Sequence, residues 1–180
     1  MHVLRKCYNF FRQKVRPNEI QLKIELVPKP LWYKNLWKSL KESDNLKVWY
    51  DLKQEIIAKE GNQCWICGTN TEKILLGQFY IYDDLNHIQI LGDVHLLCDL
   101  CHKVKHFGFW TLTTAGQIQL EQASLTEANL VSHFCTVNRV NIQFFQKYFD
   151  IAYALYEKRS QFINWSQNFE TFLNKYNIKY

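Results

Sequence analysis

Apolar and polar residues alternate over residues 20–26, where Ile20, Leu22, Ile24 and Leu26 are separated by Gln21, Lys23 and Glu25. A period of two predicts a half-buried strand, and Pro28 and Pro30 stop it. Over residues 31–41, Leu36, Trp37 and Leu40 share one side of a short helix. Asp44 is placed to cap a second helix running to about residue 60, whose stripe Val48, Trp49, Leu52 and Ile56 follows the helical period. Gly61 ends it. Val94-His95-Leu96-Leu97 reads as an apolar strand, and Thr111–Gly116 as a polar connection. Ser124-x-x-Glu127 has the spacing of a capping box, opening a helix with Leu130, Phe134 and Val137. Asn141 caps the next helix, which ends near Arg159 and is expected to turn Phe144, Phe145, Tyr148, Ile151, Ala152 and Leu155 toward the core. The tail reads two ways: Ile163 and Trp165 alternate like a strand, while Phe169, Phe172, Leu173 and Tyr176 suit a helix. The expected class is α+β.

Composition narrows this picture. The chain has 180 residues, 47% hydrophobic and 22% charged, which excludes wholesale disorder and suits one domain carrying an arm. No uncharged apolar run is long enough to cross a membrane, so no membrane association is expected. Residues 1–17 are basic and aromatic without an apolar signal-type stretch, and the expected location is cytoplasmic. Net charge is +5, and residues 1–30 carry all of it, with seven basic side chains against two acidic. Arg5, Lys6, Arg12, Lys14 and Arg16 are therefore candidate phosphate contacts for nucleic acid, with a solvated face as the plain alternative. The expected division is a basic arm (1–19), a strand and helices (20–62), a metal-stapled core (63–115) and C-terminal helices (116–180).

Four of the six cysteines form two tight pairs, Cys64-Trp-Ile-Cys67 and Cys98-Asp-Leu-Cys101, with 30 residues between them. Each C-x2-C turn can present two thiolates to one tetrahedral ion, and two such turns close its shell. With no signal for secretion, this spacing predicts a structural Zn²⁺ rather than disulfides. Gly68 relieves the tight turn after the first pair. His102 and His106 follow the second pair at i, i+4, so on a helix they share a face that could grip a divalent ion or merely cover the knuckle. Cys7 and Cys135 stand apart as small apolar or free thiols, and His133 reads as a surface or packed helix residue. The six scattered tryptophans read as core rather than as a base-stacking platform.

Leu97-Cys98-x-x-Cys101-His102, extended by Lys105-His106, resembles the HNH endonuclease family, whose ββα-metal fold is often bracketed by a four-cysteine zinc knuckle. A group of bacterial HNH proteins is similar over about residues 20–170. The shared pieces are Val27-Pro28-Lys29-Pro30, Trp32-x-x-Asn35-Leu36, Cys64 to Gly68, Tyr82-Asp83, His87-x-Gln89-x-Leu91 and Cys98 to Gly108. The resemblance implies a zinc-stapled ββα-metal core with flanking helices. It also implies that His102, with His106, binds a catalytic Mg²⁺, Mn²⁺ or Ni²⁺, and that the substrate is DNA.

The chain departs from that family at the His-Glu pair, which falls on Gly77-Gln78. The family's His takes a proton from the attacking water, and glycine has no side chain to do so. His95 and His87 are the nearby histidines that could replace it, although His95 alternates with core leucines. Asp93 stands where many relatives have Asn. Residues 64–120 carry three basic and five acidic side chains, so this core does not advertise a nucleic-acid face. Two readings follow: a metal-dependent HNH endonuclease whose base has moved, with catalytic His102 and His95, or a catalytically degenerate HNH fold that binds a protein or a nucleic acid as an inhibitor or adaptor. Restoring His and Glu at 77 and 78 is expected to leave folding intact.

Overall fold

The computed structural model describes residues 19–178. The candidate phosphate contacts Arg5, Lys6, Arg12, Lys14 and Arg16 lie outside them, as does Cys7. A 3-10 turn at Lys29–Leu31 leads into α1 (Leu36–Glu42) and α2 (Leu46–Glu60). Then come strands β1 (Ile74–Asp83) and β2 (Ile88–Cys98), followed directly by α3 (Asp99–Lys105). The helices α4 (Phe107–Leu112), α5 (Thr114–Gln122), α6 (Glu127–Asn138) and α7 (Ile142–Ser160) come next, and β3 (Ser166–Asn168) and α8 (Glu170–Lys175) close the chain. The class is α+β, with a sheet ordered β1-β2-β3.

β1 and β2 pair antiparallel, with Gly77 opposite His95 and Leu75 opposite Leu97, and β3 joins β2 in parallel. Phe79 pairs with Asp93 and Tyr80 with Leu91, so Gly92 is the extra residue of a β-bulge. Asp83 ties the hairpin turn, accepting from the backbone N–H of Leu85 and Asn86 at 3.1 and 3.0 Å. One apolar cluster draws on Leu22, Leu36, Ile56, Leu96, Phe134 and Phe172, so the segments before, within and after the hairpin bury their apolar faces together.

Several local signals act as read. Gly61 adopts a φ of 79° at the end of α2, where a side chain would be strained. Asn141 caps α7 by accepting from the Phe144 N–H at 2.9 Å. Others are displaced. Asn45, not Asp44, precedes α2, and Asp44 takes a φ of 59°. The capping box is formed by Thr126 and Asn129 rather than by Ser124 and Glu127.

Residues 20–26 are not a strand. The alternation survives as burial, with Leu22 and Ile24 inside, but the backbone has no ladder. Asn138 stands in for a partner strand: its Oδ1 accepts from the N–H of Gln21 and Leu22 at 2.9 and 3.0 Å, and its Nδ2 donates to the Leu22 carbonyl at 3.0 Å. The Glu25 N–H then donates to the Lys105 carbonyl at 2.8 Å. Thr111–Gly116 is likewise no open connection, since Thr113 caps α5 immediately after α4. A Cβ at Gly116 would stand 1.9 Å from the Phe109 carbonyl oxygen, so glycine lets the two helices meet backbone to backbone.

α7 uses its aromatic residues differently from the expectation. Phe145 and Tyr156 are buried and Phe149 packs half-buried against the core, whereas Phe144, Ile151 and Leu155 are exposed. The ambiguous tail resolves into both elements, a short strand and then a helix. Of the tryptophans, Trp165 is buried, while Trp32, Trp37 and Trp65 are more than a third exposed.

Candidate metal centre

The first cysteine pair sits in a tight knuckle between α2 and β1. Its Cys64 N–H donates to the Thr69 carbonyl and the Gly68 N–H to the Cys64 carbonyl, both at 2.9 Å. Gly68 has a φ of 74°, as the turn requires. The Trp65 N–H docks the knuckle on β2 through the Leu96 carbonyl at 2.7 Å. The second pair straddles the junction of β2 and α3. Cys98 ends the strand and caps the helix, its Sγ accepting from the Cys101 N–H at 3.4 Å. Its position is thus set twice, by the ladder and by the cap.

These two turns bring the four Sγ atoms within 4.8 Å of one another. The Sγ atoms of Cys67 and Cys98 are 3.7 Å apart, and a tetrahedron with Zn–S bonds of ~2.3 Å has sulfurs ~3.8 Å apart. All four cysteines are free thiols, and Cys64, Cys98 and Cys101 are buried. Hydrogen bonds from Cys101 and Cys98 pull the Cys64 thiol far below its usual range. The Cys101 thiol is pushed far up by its bonds to Cys64 and Cys98 and by burial. Such crowding suits four thiolates around a cation, and the donor set fits Zn²⁺. Four sulfurs leave no open position, so the ion would supply structure rather than chemistry.

His133 on α6 was not a site residue by sequence. Its Nε2 lies 3.2 Å from Cys101 Sγ. Burial holds the ring below its usual range and hence neutral; with its proton on Nε2 it donates to the sulfur. It lies 32 residues beyond Cys101, in a helix with no ligand spacing, so no local pattern marks it.

His102 and His106 do share a face of α3–α4, with ring centroids 4.8 Å apart. Burial lowers the His102 pKa to about 4, aided by Lys105 and Lys103. Burial, Lys105 and His102 hold His106 well below its usual range. Both rings are therefore neutral near pH 7. Among the described residues, however, the only group of three or more His, Cys, Asp or Glu able to share an ion is the cysteine cluster. The nearby cations are themselves engaged, Lys103 with Asp99 and Lys105 with Glu25.

His95 is held elsewhere. Its Nδ1 is 2.8 Å from Glu60 Oε1 and its Nε2 is 3.8 Å from Asp93 Oδ2. The ring stacks on Trp65 at 4.0 Å, 1° from parallel. Asp93 also pairs with Lys175 at 2.9 Å. His87 lies at the hairpin turn against Phe162 and Trp165.

Gly77 and Gln78 both have structural roles. A Cβ on Gly77 would stand 2.3 Å from Leu97 Cδ1 and 2.9 Å from its Cγ. The expectation that His and Glu could be restored without harm to folding is therefore corrected: Leu97, fully buried, fills that space. Gln78 Oε1 accepts from the Leu36 N–H at 2.9 Å and from the Tyr80 hydroxyl at 2.7 Å, joining α1 to β1.

Sequence reading also missed a polar network under the hairpin. Lys105 and the Tyr82 hydroxyl share the Glu25 carboxylate, Gln89 donates to Tyr82 at 2.8 Å, and Gln167 donates to Gln89 at 2.6 Å. Its members come from four distant stretches of chain, and no spacing announces them. No family model, curated protein or solved structure matches the chain, so the site rests on its own geometry. No helix among the described residues is long and apolar enough to cross a membrane.

Proposed function

We propose that the chain is a zinc-stapled, HNH-like ββα domain that binds nucleic acid without cleaving it. The observation that carries this is at Gly77, where the family's base would stand and where Leu97 leaves no room for a Cβ. Phosphodiester hydrolysis needs an activated water and a cation on the leaving oxygen. His95, the candidate substitute, is occupied by Glu60 and Trp65, and His102 and His106 lack a third ligand among the described residues. Binding is assigned to Arg5, Lys6, Arg12, Lys14 and Arg16, where the net charge is concentrated. A protein partner is the second reading, favoured by the acidic balance of residues 64–120.

Plasmid nicking in Mg²⁺, Mn²⁺ or Ni²⁺ tests the first half of the proposal. The expected result is intact plasmid in every metal. Cleavage that disappears in His102→Ala would reinstate the nuclease reading. Salt-dependent gel retardation tests the second half. Retardation lost when Arg5, Arg12 and Arg16 become Ala supports it, and its absence at low salt transfers the case to a protein partner.

A further inference from the structure

Residues 29–41 carry Lys29, Lys34, Lys38 and Lys41 and no acidic side chain. Their aliphatic residues serve the core, since Leu31, Leu36 and Leu40 are fully buried. The side chains left outside are mainly aromatic and cationic. Trp32, Tyr33 and Trp37 are exposed by 41%, 70% and 37%, so the expectation that the tryptophans belong to the core fails at Trp32 and Trp37. The stretch is anchored by three distant groups. The Lys29 N–H donates to Ser160 Oγ at 3.1 Å, Gln167 Nε2 donates to the Lys34 carbonyl at 3.3 Å, and the Leu36 N–H donates to Gln78 Oε1 at 2.9 Å. Trp32 is braced as well, its Nε1–H donating to the Val27 carbonyl at 2.8 Å.

The backbone at Tyr33 adds a second observation. The Lys34 N–H donates to the Leu31 carbonyl at 3.0 Å, closing a turn with Trp32 at φ −58°, ψ 137° and Tyr33 at φ 63°. These angles are those of a type II turn, whose third position suits glycine. A bulky side chain is strained there, and at 70% exposure Tyr33 recovers little by packing. Folding alone favours glycine at this corner, so the exposed ring calls for a contact outside the chain.

We infer that Trp32, Tyr33 and Trp37, with Lys29, Lys34 and Lys41, form a surface for single-stranded nucleic acid. A single strand repeats an unstacked base and a phosphate, and this surface repeats a ring and a cation. Lys34 adjoins Tyr33, and Lys41 Nζ lies 5.1 Å from the Trp37 ring centroid. Of the four lysines only Lys38 is in an ion pair among the described residues, with Glu42 at 3.6 Å, which leaves the other three for phosphates. A duplex keeps its base faces inside its own stack and offers these rings nothing. A bilayer surface takes up aliphatic side chains, and those of this stretch are already in the core. The inference rests on the nucleic-acid reading above and adds to the arm a second site, one within the described residues.

The test uses the full zinc-loaded chain and fluorescence anisotropy at low salt. The probes are oligothymidine and oligouridine of about twelve nucleotides, within the range one small domain covers, and a DNA duplex of the same length. Comparing the two single strands distinguishes DNA from RNA as the source. Tyr33→Gly removes the ring and relieves the turn, so thermal stability should hold or rise while single-strand affinity falls about 5–150-fold, the loss of one base stack. Trp37→Ala should weaken binding similarly, and Trp37→Phe, which keeps a ring, should restore most of it. Lys34→Gln should flatten the dependence of log affinity on log salt by about 0.7, one phosphate contact. Single-strand affinity unchanged in both Tyr33→Gly and Trp37→Ala would overturn the inference, and if the same binding is lost when Arg5, Arg12 and Arg16 become Ala, the nucleic-acid reading stands on the arm alone. Binding of the duplex only would also overturn it and leave that reading intact. Binding of none of the three probes removes both. Binding to phosphatidylserine vesicles, lost in Tyr33→Gly and without oligonucleotide binding, would assign the surface to a membrane and overturn the inference.

Discussion

Replacing Gly77 tests whether the hairpin can hold a base at all. In Gly77→Ala the new Cβ falls 2.3 Å from Leu97 Cδ1, whereas ordinary carbon contacts lie at ~3.5–4.0 Å. Leu97 must therefore shift by more than an ångström. It has no solvent to enter, being fully buried, and it adjoins Cys98 of the four-cysteine cluster. Overpacking of this kind costs about 1–3 kcal/mol, or roughly 2–12 °C in Tm for a domain of this size. Gly77→His adds a polar ring to the same space and should be the worse of the two. Thermal and urea unfolding of both zinc-loaded variants give the numbers. Adding Leu97→Ala removes the obstacle, so the double variant should be more stable than the two single losses summed, with a coupling of about 0.5–3 kcal/mol. Gly77→His matching the parent within ~0.5 kcal/mol, with no coupling to position 97, would refute the reasoning and reopen this position to a base.

Three further outcomes are expected. His133→Ala should speed zinc release, with affinity reduced roughly 10–100-fold as for other partners of metal ligands; a zinc-chelator absorbance assay measures it, and an unchanged rate would show that the contact to Cys101 is incidental. Asn138→Ala unpairs two backbone N–H groups and one carbonyl of residues 21–22 and should lose about 1–3 kcal/mol in urea unfolding. Asp84, whose carboxyl is held low by its hydrogen bonds from Arg159, contributes stability that is present above the ordinary carboxylate range and lost as pH falls through the lowered value. Asp84→Asn should flatten that acid limb by less than ~1 kcal/mol, because half of the side chain faces water and screens the pair; acid titration followed by fluorescence reads it.

The cysteine site was legible because its determinants are local. A C-x2-C turn needs two thiols and a nearby residue that tolerates positive φ, and Gly68 stands next to Cys67. The caps at Gly61 and Asn141 were legible for the same reason. Residues 20–26 were not, since alternation reports which side chains are buried but not what the backbone bonds to. Here the partner is one amide side chain 116 residues away. Periodicity also marks Phe144, Ile151 and Leu155 as strongly as Phe145, and the packing of Phe107 and Phe134 decides that Phe145 is the one buried. Thr111–Gly116 misled because its polar composition hides a capped helix start. The glycine there serves a close backbone approach rather than a loop.

The same contrast bears on function. His95 and Gly77 are direct cross-strand partners, so an imidazole stands beside the position that has no side chain. Its orientation is set by two contacts: Glu60 from the end of α2 lies 2.8 Å from Nδ1, and Trp65 from the knuckle stacks on the ring. One Glu60 oxygen is buried without a partner, so losing the His95 contact would leave the second oxygen of the same side chain unpaired as well. A base at 77 would displace Leu97, and a base at 95 would abandon Glu60. The hairpin thus gives its inward positions to packing and to one buried polar pair. A hydrolytic role would require it to surrender one or the other.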